Sequence, residues 1–139
     1  MTTPLASLLG FVTWTLLLLL TIGAIRIGRV LSGSATVGSF PGGERHGGER
    51  YWRLNRAHAN CVENLPLFAA VVLVGAILDL GHPILDRLAV VYLAARVCQS
   101  LTHIASGSDR IVSLRFGFFG VQIVCLAWML LLTVRLSGL

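Results

Sequence analysis

Apolar residues dominate four long stretches of the chain, and charged residues collect between them. The uncharged runs extend from Thr2 to Ile25, from Asn64 to Leu78, from Leu88 to Ser108 with Arg96 as the one interruption, and from Phe116 to Val134. A hydrocarbon core about 30 Å thick is crossed by roughly 20 residues of α-helix, so each run predicts a membrane span. The second run is the shortest, and the mixed stretch Ala57 to Glu63 extends it toward the interface. The pattern predicts an all-α fold, a transmembrane antiparallel four-helix bundle, with helices near 4–30, 53–79, 83–105 and 110–136.

The connections carry turn chemistry. Residues 32–50 form a flexible loop in which SGSATVGSFPGGERHGG contributes six glycines and Pro41. Gly81 and Pro83 make the second connection a tight turn, so the second and third helices form a hairpin. Ser106, Gly107 and Ser108 precede Asp109 as a turn followed by a helix start. Ser113, Gly117 and Gly120 mark a face of the fourth helix that another helix can approach closely.

Composition agrees with the pattern: 55% of the 139 residues are hydrophobic and the mean hydropathy is +0.82, too apolar for an ordinary soluble domain. A signal peptide is disfavoured as the reading of the first segment, because no basic residue precedes its apolar run. All eleven basic residues are arginine. Arg26, Arg29, Arg45, Arg50, Arg53 and Arg56 crowd the first connection, and Arg110 and Arg115 the third, against Arg87 and Arg135 on the other side. By the positive-inside rule both termini face away from the cytoplasm. The arginines lie at helix ends beside lipid headgroups and lack interleaved aromatics, which argues for membrane lipids as neighbours and against nucleic acid. Absence of lysine suggests a GC-rich genome and a bacterial plasma membrane. Cys61, Cys98 and Cys125 fall inside predicted spans without metal or redox spacing, as small apolar fillers.

The polar residues within the spans carry the chemistry. Arg56, Asn60 and Glu63 are spaced i, i+4, i+7 and share one helical face. A charge placed mid-span costs about 2.5 to 3.5 kcal/mol on insertion scales, so this face requires polar company. Arg96, Gln99 and His103 form a second stripe at i, i+3, i+7. Glu63 and Arg96 fall at similar depth and are expected to pair. A region rich in arginine, with one carboxylate and amides, suits a zwitterionic ligand carrying more negative than positive groups.

The segment Arg56-Ala57-x-x-Asn60-x-x-Glu63-x-x-Pro66-Leu67-Phe68 resembles the signature of the MAPEG superfamily, membrane-associated proteins in eicosanoid and glutathione metabolism. Cys61, and Val91-Tyr92-Leu93 with Ala95-Arg96, resemble the leukotriene-forming synthase branch. The resemblance covers nearly the whole chain as a single membrane domain. It implies a homotrimer that binds glutathione between subunits at the cytoplasmic half of the membrane. Arg56, Asn60 and Glu63 would hold that thiol co-substrate, Glu63 taking its α-amino group. Arg26 or Arg29 would supply the family's arginine at the end of the first helix. Arg110 matches the arginine that activates the thiol, so it is the expected catalytic residue, with no metal required.

Departures from that branch fall at His58, where it has glutamine, and at Asn64, Gln99, His103 and Arg115, where it has tyrosines. They weigh against eicosanoid substrates. The expected activity is a glutathione-dependent transferase or peroxidase acting on a hydrophobic small-molecule substrate, an electrophile or a lipid hydroperoxide, with Arg96 among the binding residues. A non-catalytic relative that binds lipid or protein, and a small four-helix exporter, are the alternatives.

Overall fold

Each apolar run folds as one continuous helix. The computed structural model describes residues 1–138 as α1 (Thr3–Leu31), α2 (Glu49–Ile77), α3 (Pro83–Ala105) and α4 (Asp109–Ser137), with a short 3-10 turn at Val37–Ser39 and no strand among the described residues. All four helices are long and apolar enough to cross a membrane, which makes the chain a multi-pass integral membrane protein.

The helices end where the sequence supplies left-handed or rigid residues. Gly33, at φ 70°, closes α1: its N–H donates to the carbonyl of Val30 and that of Ser34 to Arg29. This is the paired bonding that satisfies the last free carbonyls of a helix. Asp79 performs the same task after α2, at φ 52°, where a glycine is usual. Its N–H bonds Ala76 O and that of Leu80 bonds Gly75 O. Pro83 opens α3, where its missing N–H has no intrahelical partner to lose. Inside α2, Pro66 interrupts one backbone bond without ending the helix.

Helix α2 starts at Glu49, earlier than the 53 expected, and the preceding loop accordingly ends at Gly48. Glu49 lies in the first turn, where a carboxylate favours the positive helix end, and it forms ion pairs with Arg45 and Arg53. The loop folds back over the helices through its rings: His46 lies 5.4 Å from Tyr51 and 6.1 Å from Phe40, centroid to centroid.

The core occupies one narrow stripe on each helix. On α3 it runs Leu85, Ala89, Tyr92, Arg96, Gln99, and on α4 Gln122, Cys125, Met129, Thr133. At its centre Phe68 and Tyr92 stack in parallel 4.2 Å apart, with Phe11 tilted against both. No more than 33% of any helix's apolar window is buried within the chain, so leucines such as Leu16, Leu20 and Leu131 face outward. In water such a surface would be unstable; in hydrocarbon the exposed leucines cost nothing, and the helices associate through close packing and interhelical hydrogen bonds.

Candidate functional site

The two expected stripes lie differently with respect to the core. Turning about 100° per residue, the face of Arg56, Asn60 and Glu63 lies about 120° round α2 from the buried stripe that includes Leu54, Ala57, Cys61 and Phe68. Arg56 and Glu63 are accordingly exposed, while Asn60 is half-buried. Arg96 instead continues the inward stripe of α3 and is 1% exposed.

The expected pairing of Glu63 with Arg96 is therefore absent: the ion pairs among the described residues are both made by Glu49. Arg96 donates from one terminal nitrogen to the backbone carbonyl of Asn60 at 3.4 Å, and its guanidinium sits 5.6 Å from the Phe11 ring centroid. Its Nε and other terminal nitrogen are buried without a hydrogen-bond partner. Such a guanidinium is under-compensated, because buried donors normally find acceptors.

Asn60 is the meeting point of the stripes. Its amide lies 3.4 Å from Nδ1 of His103, and its carbonyl accepts from Nδ2 of Asn64 at 2.8 Å as well as from Arg96. Asn60, Asn64, Arg96 and His103 thus come together. Gln99 turns into the core, where its Oε1 accepts from Nε2 of Gln122 at 3.0 Å and its own Nε2 reaches the carbonyl of Arg115 at 3.5 Å. His58 is half-buried on α2, and Arg110 is exposed in the first turn of α4.

The arginines at the end of α1 form a separate group around Tyr51. Arg26 donates through Nε to the Tyr51 hydroxyl at 2.7 Å and through a terminal nitrogen, Nη2, to Oδ1 of Asn55 at 3.3 Å. Arg29 lies 4.9 Å above the Tyr51 ring, a cation–π contact. Both arginines are thus positioned by one side chain. Arg53 donates to the carbonyl of Ile104, tying α2 to the end of α3.

Tyr51, Asn55 and Gln122 escape the sequence reading. Tyr51 and Asn55 are placed by the path of the loop, for which the residues give no signal. Gln122 does leave one: it is a lone amide in the otherwise apolar Phe116 to Val134 run, and such a residue inside a span normally bonds across helices. Cys61 lies buried with its Sγ 3.5 Å from Oγ of Ser100. No group of three or more His, Cys, Asp or Glu side chains among the described residues converges to hold a metal ion.

The sequence profile of the MAPEG family matches residues 4–135, from the first turn of α1 to the last turns of α4. The chain belongs to the MAPEG family. No curated protein matches it. Within this MAPEG chain the match takes in both polar stripes and Arg110. The arrangement, cations and one carboxylate on an outward face with amides and an imidazole behind them, can bind a zwitterion through charge-assisted hydrogen bonds.

Proposed function

We propose that the protein is a glutathione-dependent transferase or peroxidase that works as a homotrimer, with glutathione held between neighbouring subunits. Membership in the MAPEG family supports a glutathione-linked transferase or synthase role at the family level. The observation that carries the reading is the outward exposure of Arg56 and Glu63 on a helix that spans the membrane. Glu63 lies about 24 Å along α2 from Asp79, within the span, where a charge facing hydrocarbon is costly. A neighbouring antiparallel bundle with a zwitterionic ligand between would remove that cost, with Arg56 near the interface beside it.

The residues present fit glutathione. Glu63 complements an α-ammonium, and Arg56 complements a carboxylate. The unpartnered nitrogens of Arg96 provide buried donors for an anionic or carbonyl oxygen. Asn60 and His103 offer neutral hydrogen bonds. Arg26 or Arg29 would supply the arginine that the family signature implies, and His58 and Asn64 join the binding set at positions that depart from it, while Gln99 is turned into the core against Gln122. No metal takes part in this scheme.

Arg110 acts on the thiol. A free thiol has a pKa near about 8.5, and a fixed cation beside it favours the thiolate. The thiolate attacks an electrophilic carbon of a substrate dissolved in the bilayer; a carbon–sulfur bond forms, the leaving group departs with its electron pair, and the thiol proton passes to water. With a lipid hydroperoxide, two thiols are oxidised to a disulfide while the peroxide is reduced to an alcohol and water. Both reactions place the polar thiol at the interface and the apolar substrate in lipid.

A second reading, a MAPEG protein that binds lipid or a protein partner without catalysis, is supported by Gln99, which is buried against Gln122 rather than turned to the exposed stripe. Conjugation of glutathione to a chromogenic aryl halide decides between them. Turnover by the wild type and its loss in Arg110→Ala support catalysis, whereas equal rates remove Arg110 from the mechanism. Glutathione binding with no turnover on aryl halides, enones or hydroperoxides favours the second reading.

A further inference from the structure

A cavity of about 310 Å³ lies within the bundle at the end remote from Arg56, lined by residues of all four helices. It is about 35 Å along α2 from Arg56 to Asp79 at 1.5 Å per residue, so the cavity is separate from the polar stripes. Leu5, Val72 and Met129 give it apolar walls, and Asp79 and Asp86 bring two carboxylates. Neither aspartate forms an ion pair with a cation among the described residues, where Glu49 makes both pairs.

Thr133 supplies an independent sign of a ligand. Thr13, Thr15, Thr21 and Thr102 each donate their hydroxyl to the backbone carbonyl four residues earlier. Thr133 does not. It lines the cavity, is 4% exposed, and its Oγ1 has no hydrogen-bond partner. A buried hydroxyl left unbonded costs free energy unless something in the cavity bonds it.

Asp79 is disfavoured twice by its own backbone. It adopts φ 52°, where glycine is at ease, and it places a negative charge at the C-terminal end of α2, which already carries partial negative charge. A bound cation offsets the second cost. Asp86 lies in the first turn of α3, where a carboxylate is favoured beside the positive helix end.

We infer that this cavity binds a small amphipathic ammonium ion, its charge between Asp79 and Asp86, one N–H on Thr133 and its short apolar tail against Val72 and Met129. Two carboxylates with no third acidic, histidine or cysteine ligand make a poor divalent-metal site. The apolar walls favour an organic cation, and the volume stands at the small end of ligand pockets.

The test is titration of hexylammonium into purified protein in neutral maltoside micelles, followed by calorimetry, with hexanol as the uncharged control of equal chain length. Wild type should bind hexylammonium at least tenfold more tightly than hexanol. Asp79→Gly removes a carboxylate while relieving the left-handed backbone, so it should fold at least as stably yet lose at least tenfold in affinity. Asp86→Asn should lose as much, and Thr133→Val about fivefold, the worth of one hydrogen bond. Equal affinity for hexylammonium and hexanol, or unchanged affinity in Asp79→Gly and Asp86→Asn, would overturn the inference. Adding short-chain phosphatidylethanolamine separates two sources: weakened hexylammonium binding assigns the site to a lipid ammonium, and unchanged binding assigns it to a free amine.

Discussion

Replacing Arg96 by methionine tests whether this buried guanidinium is under-compensated. An arginine at mid-span costs about 2.5 to 3.5 kcal/mol on insertion scales. Against that stands one hydrogen bond to the Asn60 carbonyl, long at 3.4 Å, contributing about 1.5 kcal/mol, the low end for a charged donor. The contact with Phe11 at 5.6 Å contributes about 0.5 to 2 kcal/mol. The terms nearly cancel, and methionine fills much of the same volume without a charge. Arg96→Met should therefore change the stability of glutathione-free protein by less than about 1.5 kcal/mol, with stabilisation the favoured sign. Unfolding in mixed micelles, followed by tryptophan fluorescence at fixed protein concentration, measures it. A loss above about 3 kcal/mol is the signature of a broken buried ion pair. It would refute the reasoning and restore Glu63, from the same or a neighbouring subunit, as the partner of Arg96.

Gln122→Leu removes the interhelical bond to Gln99 and should cost about 0.6 to 1.7 kcal/mol, the range of such bonds in membranes, in the same unfolding assay. Phe68→Ala opens the stack with Tyr92 and should cost about 3 kcal/mol or more, read as a lowered midpoint of thermal unfolding. A Cβ on Gly10 would meet Cδ2 of Leu93 at 2.8 Å. Gly10→Ile should therefore overpack the contact between α1 and α3 and cost about 1 to 3 kcal/mol, while Gly10→Ala is absorbed by rotation of Leu93. Native mass spectrometry from micelles should release three subunits together; a monomer as the sole species would remove the intersubunit site.

The four helices are legible because lipid imposes a simple rule: about 20 apolar residues, with charges kept to the ends. The polar stripes are legible because each charged residue in a span must be met by something polar. The partner is harder to read. Depth along a helix follows from counting residues from a turn, and by that measure Glu63 and Arg96 lie within roughly one or two helical turns of each other. Azimuth is different: whether Glu63 faces inward depends on which face of α2 the other helices cover. Ala57, Cys61 and Phe68 set that face, and it leaves Glu63 outside. In the same way Tyr51 gathers Arg26 and Arg29 because the loop of residues 32–48 brings α2 back beside the end of α1. The orphan hydroxyl of Thr133 has no counterpart in the sequence, since most helical threonines bond their own backbone.

The outward polar face of α2 carries the functional account, and glutathione titration tests it most directly. Calorimetry on detergent-solubilised protein should show saturable binding at or below millimolar glutathione, weakened at least tenfold by Glu63→Gln and by Arg56→Ala. Absence of binding by the wild type at millimolar concentration, or equal binding by the wild type and both variants, would contradict the account.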